Sequence, residues 1–371
     1  MDQFSFSSKS DLSLFIGKEN FKRIFIICGK RSFSLSGAEN IFSSILKKKV
    51  TKYYLKNSPY PEIYELRKIM RLMREFSPDL IIAVGGGSVI DYGKMVNVLE
   101  IEDNLNYKIK NSNCKIKKKF SKLLAIPTTA GSGSEVTENA VIYINKVKYS
   151  IEGKNVKPDY FFLIPELIIG ASKKIKSSAG FDSISQSIES LISKKSTEES
   201  VGFAKNSLKI SLKYYLNFVN NPNMTNTSAM CYAAHLSGKA INISKTTGPH
   251  AVSYPFTSLY NISHGHAVSL TLNQFIKFNY ENIEQANCHF DLKKRYNILF
   301  TLTGSKNLKN LDDYLIRIKK KSGLEDNFKK LGINIKENYS KIISGINTLR
   351  LSNNPVELKK SDIKNILFKH K

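Results

Sequence analysis

Cysteine is scarce: the 371 residues hold four, Cys28, Cys114, Cys231 and Cys288, far apart and without a CxxC pair. That spacing excludes a disulfide framework and a zinc ribbon, and leaves reduced, packed thiols as the expectation. Long apolar runs are absent as well. No stretch approaches the ~18 residues of a membrane span, and the opening MDQFSFSSKSDLSLF lacks the basic region and uninterrupted apolar core that export requires. A cytoplasmic chain without a membrane partner is expected. Acidic residues are in deficit, 31 against 57 Lys and Arg, for a net charge of +26 at pH 7. Such a balance invites a nucleic-acid reading. The lysines are spread along the whole chain, however, and clusters such as KIKKK (115–119) are not interleaved with aromatics in one stripe, so no nucleic-acid partner is expected. A positive surface does favour a small anionic substrate by electrostatic steering.

What is present suits a globular protein: 41% hydrophobic and 11% aromatic residues, in a length sufficient for two domains. The first half alternates short apolar strands with helices. RIFIIC (23–28), TKYYL (51–55), LIIAV (80–84) and KLLAIP (122–127) read as strands. AENIFSSILKK (38–48) and PEIYELRKIMRLMREF (61–76) read as helices, the second with Ile63, Leu66, Met70 and Met73 at helical spacing. This alternation predicts a parallel sheet covered by helices. NAVIYINKVKYSI (139–151) reads as a β-hairpin and PDYFFLI (158–164) as a last strand. Beyond SKKIKSS (172–178) the strand signals fade. The expected organisation is therefore an α/β domain over 1–177 and an all-helical domain over 178–371, with no internal repeat.

Two glycine-bearing stretches follow predicted strands. In IIAVGGGSVIDYGK (81–94), Gly85, Gly86 and Gly87 lead into a helix opened by Ser88, with Asp91 in its first turn. Glycines let a backbone approach a pyrophosphate, and a helix N-terminus offers N–H groups to it, although a tight turn that binds nothing has the same pattern. IPTTAGSGSEVTENAVI (126–142) places Thr128, Thr129 and Ser132 after a second strand. Ligands bind at the carboxyl ends of strands in open α/β sheets, so the pair of loops argues for a nucleotide. After the first strand, Gly29 is followed by Lys30 and Arg31, where a carboxylate would hold the 2′-hydroxyl of NAD. NADPH is therefore expected over NADH.

The second half raises a question in GFDSISQSIES (180–190). Asp182 and Gln186 are four residues apart, on one face of a helix. Asp and His at that spacing would grip a divalent metal, but the second residue is an amide. Six histidines occur in the chain, and three fall within GPHAVSYPFTSLYNISHGHAV (248–268): His250, His264 and His266. Neutral imidazoles with one carboxylate form a common Zn²⁺ or Fe²⁺ set that leaves a position open for substrate oxygen.

GGGSVIDYGK, TTAGSGSEVTENAVI, GFDSISQSIES and HAVSYPFTSLYNISHGHAV, in this order, resemble the motifs of the iron-containing (group III) alcohol dehydrogenases. The resemblance implies an N-terminal dinucleotide-binding α/β domain, a helical metal-binding domain, and NAD(P)-linked hydride transfer to a carbonyl polarised by a metal. It places Gly85, Gly86, Gly87, Ser88 and Asp91 on the cofactor-phosphate motif, Thr128, Thr129 and Ser132 on the second cofactor loop, and Lys148 near the nicotinamide ribose. Asp182, His250 and His264 match three metal ligands. Gln186 stands where the commonest members have a fourth, a histidine, and Tyr254 replaces another active-site histidine. Gln186 is expected either as a weak fourth ligand or as a hydrogen-bond partner of metal water or substrate.

Within the family the motifs look most like those of the phosphonoacetaldehyde reductases, which make 2-hydroxyethylphosphonate. That likeness implies a small anionic aldehyde as substrate. Lys245, with Thr246 and Thr247 directly before His250, is either a cation for its charged group or a solvated helix end, and the proton is expected to reach the product oxygen through water, the ribose hydroxyl, or a side chain such as His266 or Tyr254. Other aldehydes bearing a sulfonate or carboxylate, simple alcohols, and a lyase or cyclase chemistry like that of dehydroquinate synthase are the alternatives. A homodimer is expected.

Overall fold

The computed structural model describes residues 8–368. The chain divides into two compact units, Met1–Ala171 and Ser172–Lys371.

The first unit is built on seven strands: β1 (Arg23–Gly29), β2 (Val50–Lys56), β3 (Leu80–Gly85), β4 (Lys122–Pro127), β5 (Asn139–Ile144), β6 (Val147–Glu152) and β7 (Tyr160–Phe161). Five form a parallel sheet in the order β2-β1-β3-β4-β7. Continuous apolar runs are what a sheet buried on both faces demands, and β3 is buried along its whole length. Alternate residues serve opposite layers. Phe25, Ile27, Ile81 and Ala83 pack with Leu66, Ile69, Met70 and Met73 of the helix Ile63–Phe76. Ile24, Ile26, Ile82 and Val84 pack with Leu12, Phe15 and Phe42 on the other side. The strand order reverses between β1 and β3, so the crevice at their carboxyl ends is the topological switch point where such sheets bind ligands.

The expected hairpin is β5–β6, closed by Asn145 and Lys146 with φ of 53° and 65°. Left-handed backbone at both turn residues matches the twist of the flanking strands. The strand expected over 158–164 pairs with β4 only at Tyr160 and Phe161. Before it, the Asp159 carboxylate takes the Leu123 N–H at 2.9 Å; after it, Pro165 leads into the short helix Glu166–Ile169.

Behind the glycine loop lies a buried charge cluster. Lys94, in the helix Gly87–Val96, is fully buried and donates to Thr137 Oγ1 and to the Asn139 carbonyl, both at 2.8 Å. Asp91 accepts from Ser134 Oγ at 2.8 Å and from the Val141 N–H at 3.3 Å. The two side chains thus tie this helix to the segment between β4 and β5. Burial pushes the Lys94 amine down from 10.5 to about 8, against the raising charges of Asp91 and Glu135. Between those values the unfolded chain holds more protons than the folded one, so the Lys94 contribution to stability rises as pH climbs from 8 to 10.5. In urea titrations across that window, the wild-type midpoint should climb more steeply with pH than that of Lys94→Met. Parallel pH profiles would contradict the assignment.

The second unit is helical, with no strand among its described residues. The helix Lys173–Ile192 runs through its middle and is buried almost throughout from Lys176 onward. The residues 172–177, between the observed division and the one expected at 177/178, belong to its start: Ser172 caps it by accepting from the Ile175 N–H at 3.3 Å. A core helix can be rich in serine when the hydroxyls bond back to the backbone. Ser185 donates to the Phe181 carbonyl at 2.9 Å, and Ser187 lies 2.8 Å from both the Ser183 carbonyl and Ser207 Oγ. Around this helix stand Glu198–Asn220, Met224–Ser244, Gly248–Tyr260 and His264–Glu281. Among the described residues no helix is long and apolar enough to cross a membrane.

Candidate metal centre and cofactor loops

Asp182, His250 and His264 come together in the second unit, from three helices, with one ligand atom of each within 4.8 Å of the others. Two glycines permit this approach. A Cβ on Gly265 would lie 2.0 Å from the Ser178 carbonyl oxygen and 2.7 Å from Asp182 Cβ, so only glycine lets the His264 helix start against the Asp182 helix. A Cβ on Gly248 would lie 2.1 Å from the Phe275 ring, at the start of the His250 helix. The His250 and His264 rings meet edge to face at 5.3 Å.

His250 is held from behind. Its Nδ1 hydrogen-bonds Glu189 Oε1, and its Nε2 lies 3.3 Å from Asp182 Oδ1. Glu189 is completely buried, and its other oxygen accepts from the Thr247 N–H at 2.7 Å and Thr247 Oγ1 at 2.9 Å. A carboxylate on one ring nitrogen fixes the tautomer and aims the other nitrogen at the ligand set, a common arrangement behind metal-bound imidazoles. Burial would lower the His250 pKa, but the Glu189 charge and the hydrogen bonds to Asp182 and Glu189 outweigh it and raise the ring to about 9. A cation bound at Nε2 therefore displaces a proton. One carboxylate and two imidazoles at this separation fit Fe²⁺ or Zn²⁺.

Gln186 lies on the same face as Asp182. Its Nε2 donates to Asp182 Oδ2 at 3.3 Å, and its Oε1 accepts from Ser237 Oγ at 2.8 Å. Tyr254 is buried with its ring 5.9 Å from that of His264. Burial pushes its hydroxyl up to about 12, opposed by the charge and hydrogen bond of Arg350. His266 leaves the helix about 200° around from His264. Its Nε2 lies 2.8 Å from the Glu325 carbonyl and its N–H donates to Ser178 Oγ at 3.1 Å. Lys245 ends the helix Met224–Ser244 with φ 58° and ψ 176°, a region that only glycine enters readily. Bonds on both sides of it hold that backbone: Ser193 Oγ to the Ser244 carbonyl at 2.6 Å and Asn353 Nδ2 to the Thr246 carbonyl at 3.1 Å.

In the first unit the expected cofactor residues gather at the ends of β1, β3 and β4. The Thr128 N–H bonds the Gly85 carbonyl at 3.0 Å, joining the two loops. A Cβ on Gly85 would lie 2.6 Å from Val89, and one on Gly87 2.8 Å from Ser132 Oγ, so both glycines are required by close packing around the helix start. Gly86 is the N-cap of the helix Gly87–Val96, and Ser88 lies in its first turn. Asp91 is turned to Ser134 and Val141, as described above. Lys30 follows Gly29 at the end of β1 and is exposed. Lys148 lies opposite Tyr143 in the hairpin and acts on the charge of Asp91.

The family model of the iron-containing alcohol dehydrogenases matches residues 7–165, and that of the C-terminal part of the same family matches residues 176–370. The chain belongs to the iron-containing alcohol dehydrogenase family. Among its relatives, the phosphonoacetaldehyde reductase of Streptomyces viridochromogenes is 28% identical over 221 residues, 57% of this chain and 56% of that protein. An NADPH-dependent butanol dehydrogenase of Clostridium saccharobutylicum is 27% identical over 322 residues, 83% of this chain and 80% of the relative. The chain spans about half the length of several of the curated relatives it matches. Among solved structures, a sulfoacetaldehyde reductase of Bifidobacterium kashiwanohense in complex with NAD⁺ superposes with a TM-score of 0.86 at 24% identity, over 98% of this chain and 96% of that one. At that identity the likeness speaks for the fold.

Two residues of this family member escape sequence reading. Glu189 stands seven residues after Asp182, two helical turns along the same face, and that spacing is a usable signal. Arg350 lies 86 residues beyond His264 in a four-residue helix, Thr348–Leu351, and nothing local marks it.

Proposed function

We propose that the protein is an NAD(P)H-linked reductase of a small anionic aldehyde, with phosphonoacetaldehyde, reduced to 2-hydroxyethylphosphonate, as its substrate. The observation that carries the reading is the Asp182–His250–His264 cluster with Glu189 behind it. Fe²⁺ or Zn²⁺ held by these three side chains would supply a Lewis acid for the carbonyl oxygen and stabilise the charge that develops there during hydride transfer. Glu189 keeps His250 Nε2 aimed at the set, and Gln186 with Ser237 holds Asp182. Gln186 acts in this reading through its hydrogen bonds, a fourth ligand being the alternative role for its amide oxygen.

The N–H groups that open the helix Gly87–Val96 would receive the cofactor pyrophosphate. The hydroxyls of Thr128, Thr129 and Ser132 and the cation of Lys148 add polar partners. Exposed Lys30 beside Arg31, with no carboxylate among residues 29–32 at and just after the end of the strand, favours the 2′-phosphate of NADPH over NADH. The product oxygen needs a proton. Tyr254, packed on the His264 ring, suits that task better than His266, whose Nε2 is engaged with Glu325.

The phosphonoacetaldehyde and sulfoacetaldehyde reductases among its relatives support the anionic substrate, as does the net charge of +26. A panel of phosphonoacetaldehyde, sulfoacetaldehyde, a carboxylate semialdehyde and butanal, assayed with NADPH and NADH and with added Fe²⁺, Zn²⁺ or Mn²⁺, tests this. Phosphonoacetaldehyde with NADPH is expected to give the highest kcat/KM. Preference for butanal would overturn the substrate, and turnover without net nucleotide oxidation would point instead to a lyase or cyclase. The same reading has a cytoplasmic homodimer, whose mass light scattering would measure.

A further inference from the structure

We propose that Ser178 is a positioning residue for the metal centre, capping the His264 helix from the Asp182 helix and so fixing how far apart these two ligands stand; this rests on the metal-dependent reading of the proposed function. The cluster draws its side chains from three helices, and His250 has anchors of its own. Glu189 holds its ring. Further along, Pro255 lies inside the His250 helix and has no N–H to give to the Ala251 carbonyl, which accepts instead from the Asn347 N–H at 3.3 Å. The segment that begins at Gly345 docks on this proline gap, where a Cβ on Gly345 would lie 3.1 Å from Pro255 Cβ. None of these bonds reaches the start of the helix His264–Glu281.

That helix begins without a side-chain cap of its own. Ser263 is its N-cap residue, yet its side chain makes no capping bond, and its buried Oγ has no hydrogen-bond partner among the described residues. The N–H that such a cap would take, three residues on at His266, is given to Ser178 Oγ at 3.1 Å. Ser178 is buried and lies four residues before Asp182, one turn away on the same face of the helix Lys173–Ile192. Nearby serines bond within that helix, Ser177 to the Lys174 carbonyl at 3.2 Å and Ser185 to the Phe181 carbonyl at 2.9 Å. Ser178 turns its hydroxyl oxygen to a neighbouring helix instead.

Contact and attraction meet at this residue. Its carbonyl oxygen is the atom that a Cβ on Gly265 would strike, at 2.0 Å, and Asp182 Cβ is next at 2.7 Å. Gly265 is thus seated against Ser178 and Asp182, while the following N–H is held by the Ser178 hydroxyl. Residues 264–266 take their place from the single turn 178–182. A cap from Ser263 would satisfy the same N–H but tie the helix only to itself. The cap from Ser178 ties it to the carboxylate that His264 must meet.

The test measures Zn²⁺ affinity by competition with a chelator, the visible absorption of bound Co²⁺, and thermal melting, in wild type, Ser178→Ala and Asp291→Ala. Asp291 caps the helix Leu292–Thr303 by accepting from the Lys294 N–H at 3.1 Å, a bond of the same kind on a helix that carries none of the cluster. Ser178→Ala should fold, since alanine is the better helix former and Ser263 stands at the N-cap to take the His266 N–H. Its Zn²⁺ affinity should fall roughly 10-fold, the lower end of the range for partners that orient metal ligands, and its Co²⁺ bands should shift. Asp291→Ala should melt earlier than wild type with its metal affinity unchanged. Wild-type affinity in Ser178→Ala would overturn the inference and leave the metal centre standing. An equal loss of affinity in Asp291→Ala, or a Ser178→Ala protein that melts far below Asp291→Ala, would show a general role in the fold and overturn it too. A wild type that binds no divalent metal would fail the proposed function first, and the positioning role with it.

Discussion

Replacing His264 with alanine is expected to remove bound metal and to cut kcat/KM by roughly 10³-fold or more, the scale of losing a Lewis acid from the carbonyl oxygen. His264 is the first residue of its helix and only half-buried, so the fold should survive its truncation. The remaining Asp182 and His250 are two donors, too few for a stable catalytic site. Metal analysis of the purified variant, beside circular dichroism and the aldehyde assay, checks each part. Full turnover in a variant with no metal would remove the Lewis acid from the proposed function. Loss of helical signal would mean that His264 serves the fold.

Glu189→Ala should cost about 3–5 kcal/mol of stability, the range found when one partner of a buried charged pair is removed. The reason is countable. Thr247 N–H, Thr247 Oγ1 and His250 Nδ1 all bond this one carboxylate, in a place without exposure to water. The melting temperature should fall on the order of 10 °C. Glu189→Gln keeps the volume and an acceptor oxygen but not the charge that favours metal at His250. It should melt much closer to wild type while binding metal roughly 10–100-fold more weakly. Thermal scans and competition with a chelator separate the two effects. An alanine variant that melts with wild type would show that these groups find other partners.

The parallel sheet was legible because its central strands are unbroken apolar runs that end in Gly or Pro, and burial on both faces leaves such runs few alternatives. The hairpin was legible from alternation around Asn145 and Lys146. β7 was drawn too long, because PDYFFLI is equally apolar where it pairs and where it does not. At its start it is cut short by the Asp159 carboxylate, a long-range hydrogen bond to the Leu123 N–H that no local pattern encodes, and at its end by the turn at Pro165 into the helix Glu166–Ile169. The helix Lys9–Lys18 went unread although Ser8 and Asp11 form a capping box at its start.

The clustering of Asp182, His250 and His264 was visible for a different reason. Asp182 has a helical partner at i+4, and His250 and His264 are close in sequence among few histidines. Sequence spacing could place these side chains on faces, but not say which face was turned to which. Glu189 was within reach of the same helical reasoning. Arg350 was not, since its position depends on a missing N–H at Pro255 and a carbonyl at Ala251 that meet Asn347 only in the folded chain.

Pro255 thereby divides labour along the gene. The Asp182–His250–His264 cluster is complete by residue 264, while the segment docked on the proline gap begins only at residue 345. Substitutions in that late segment can alter what packs on the His250 helix without touching Asp182, His250 or His264 themselves.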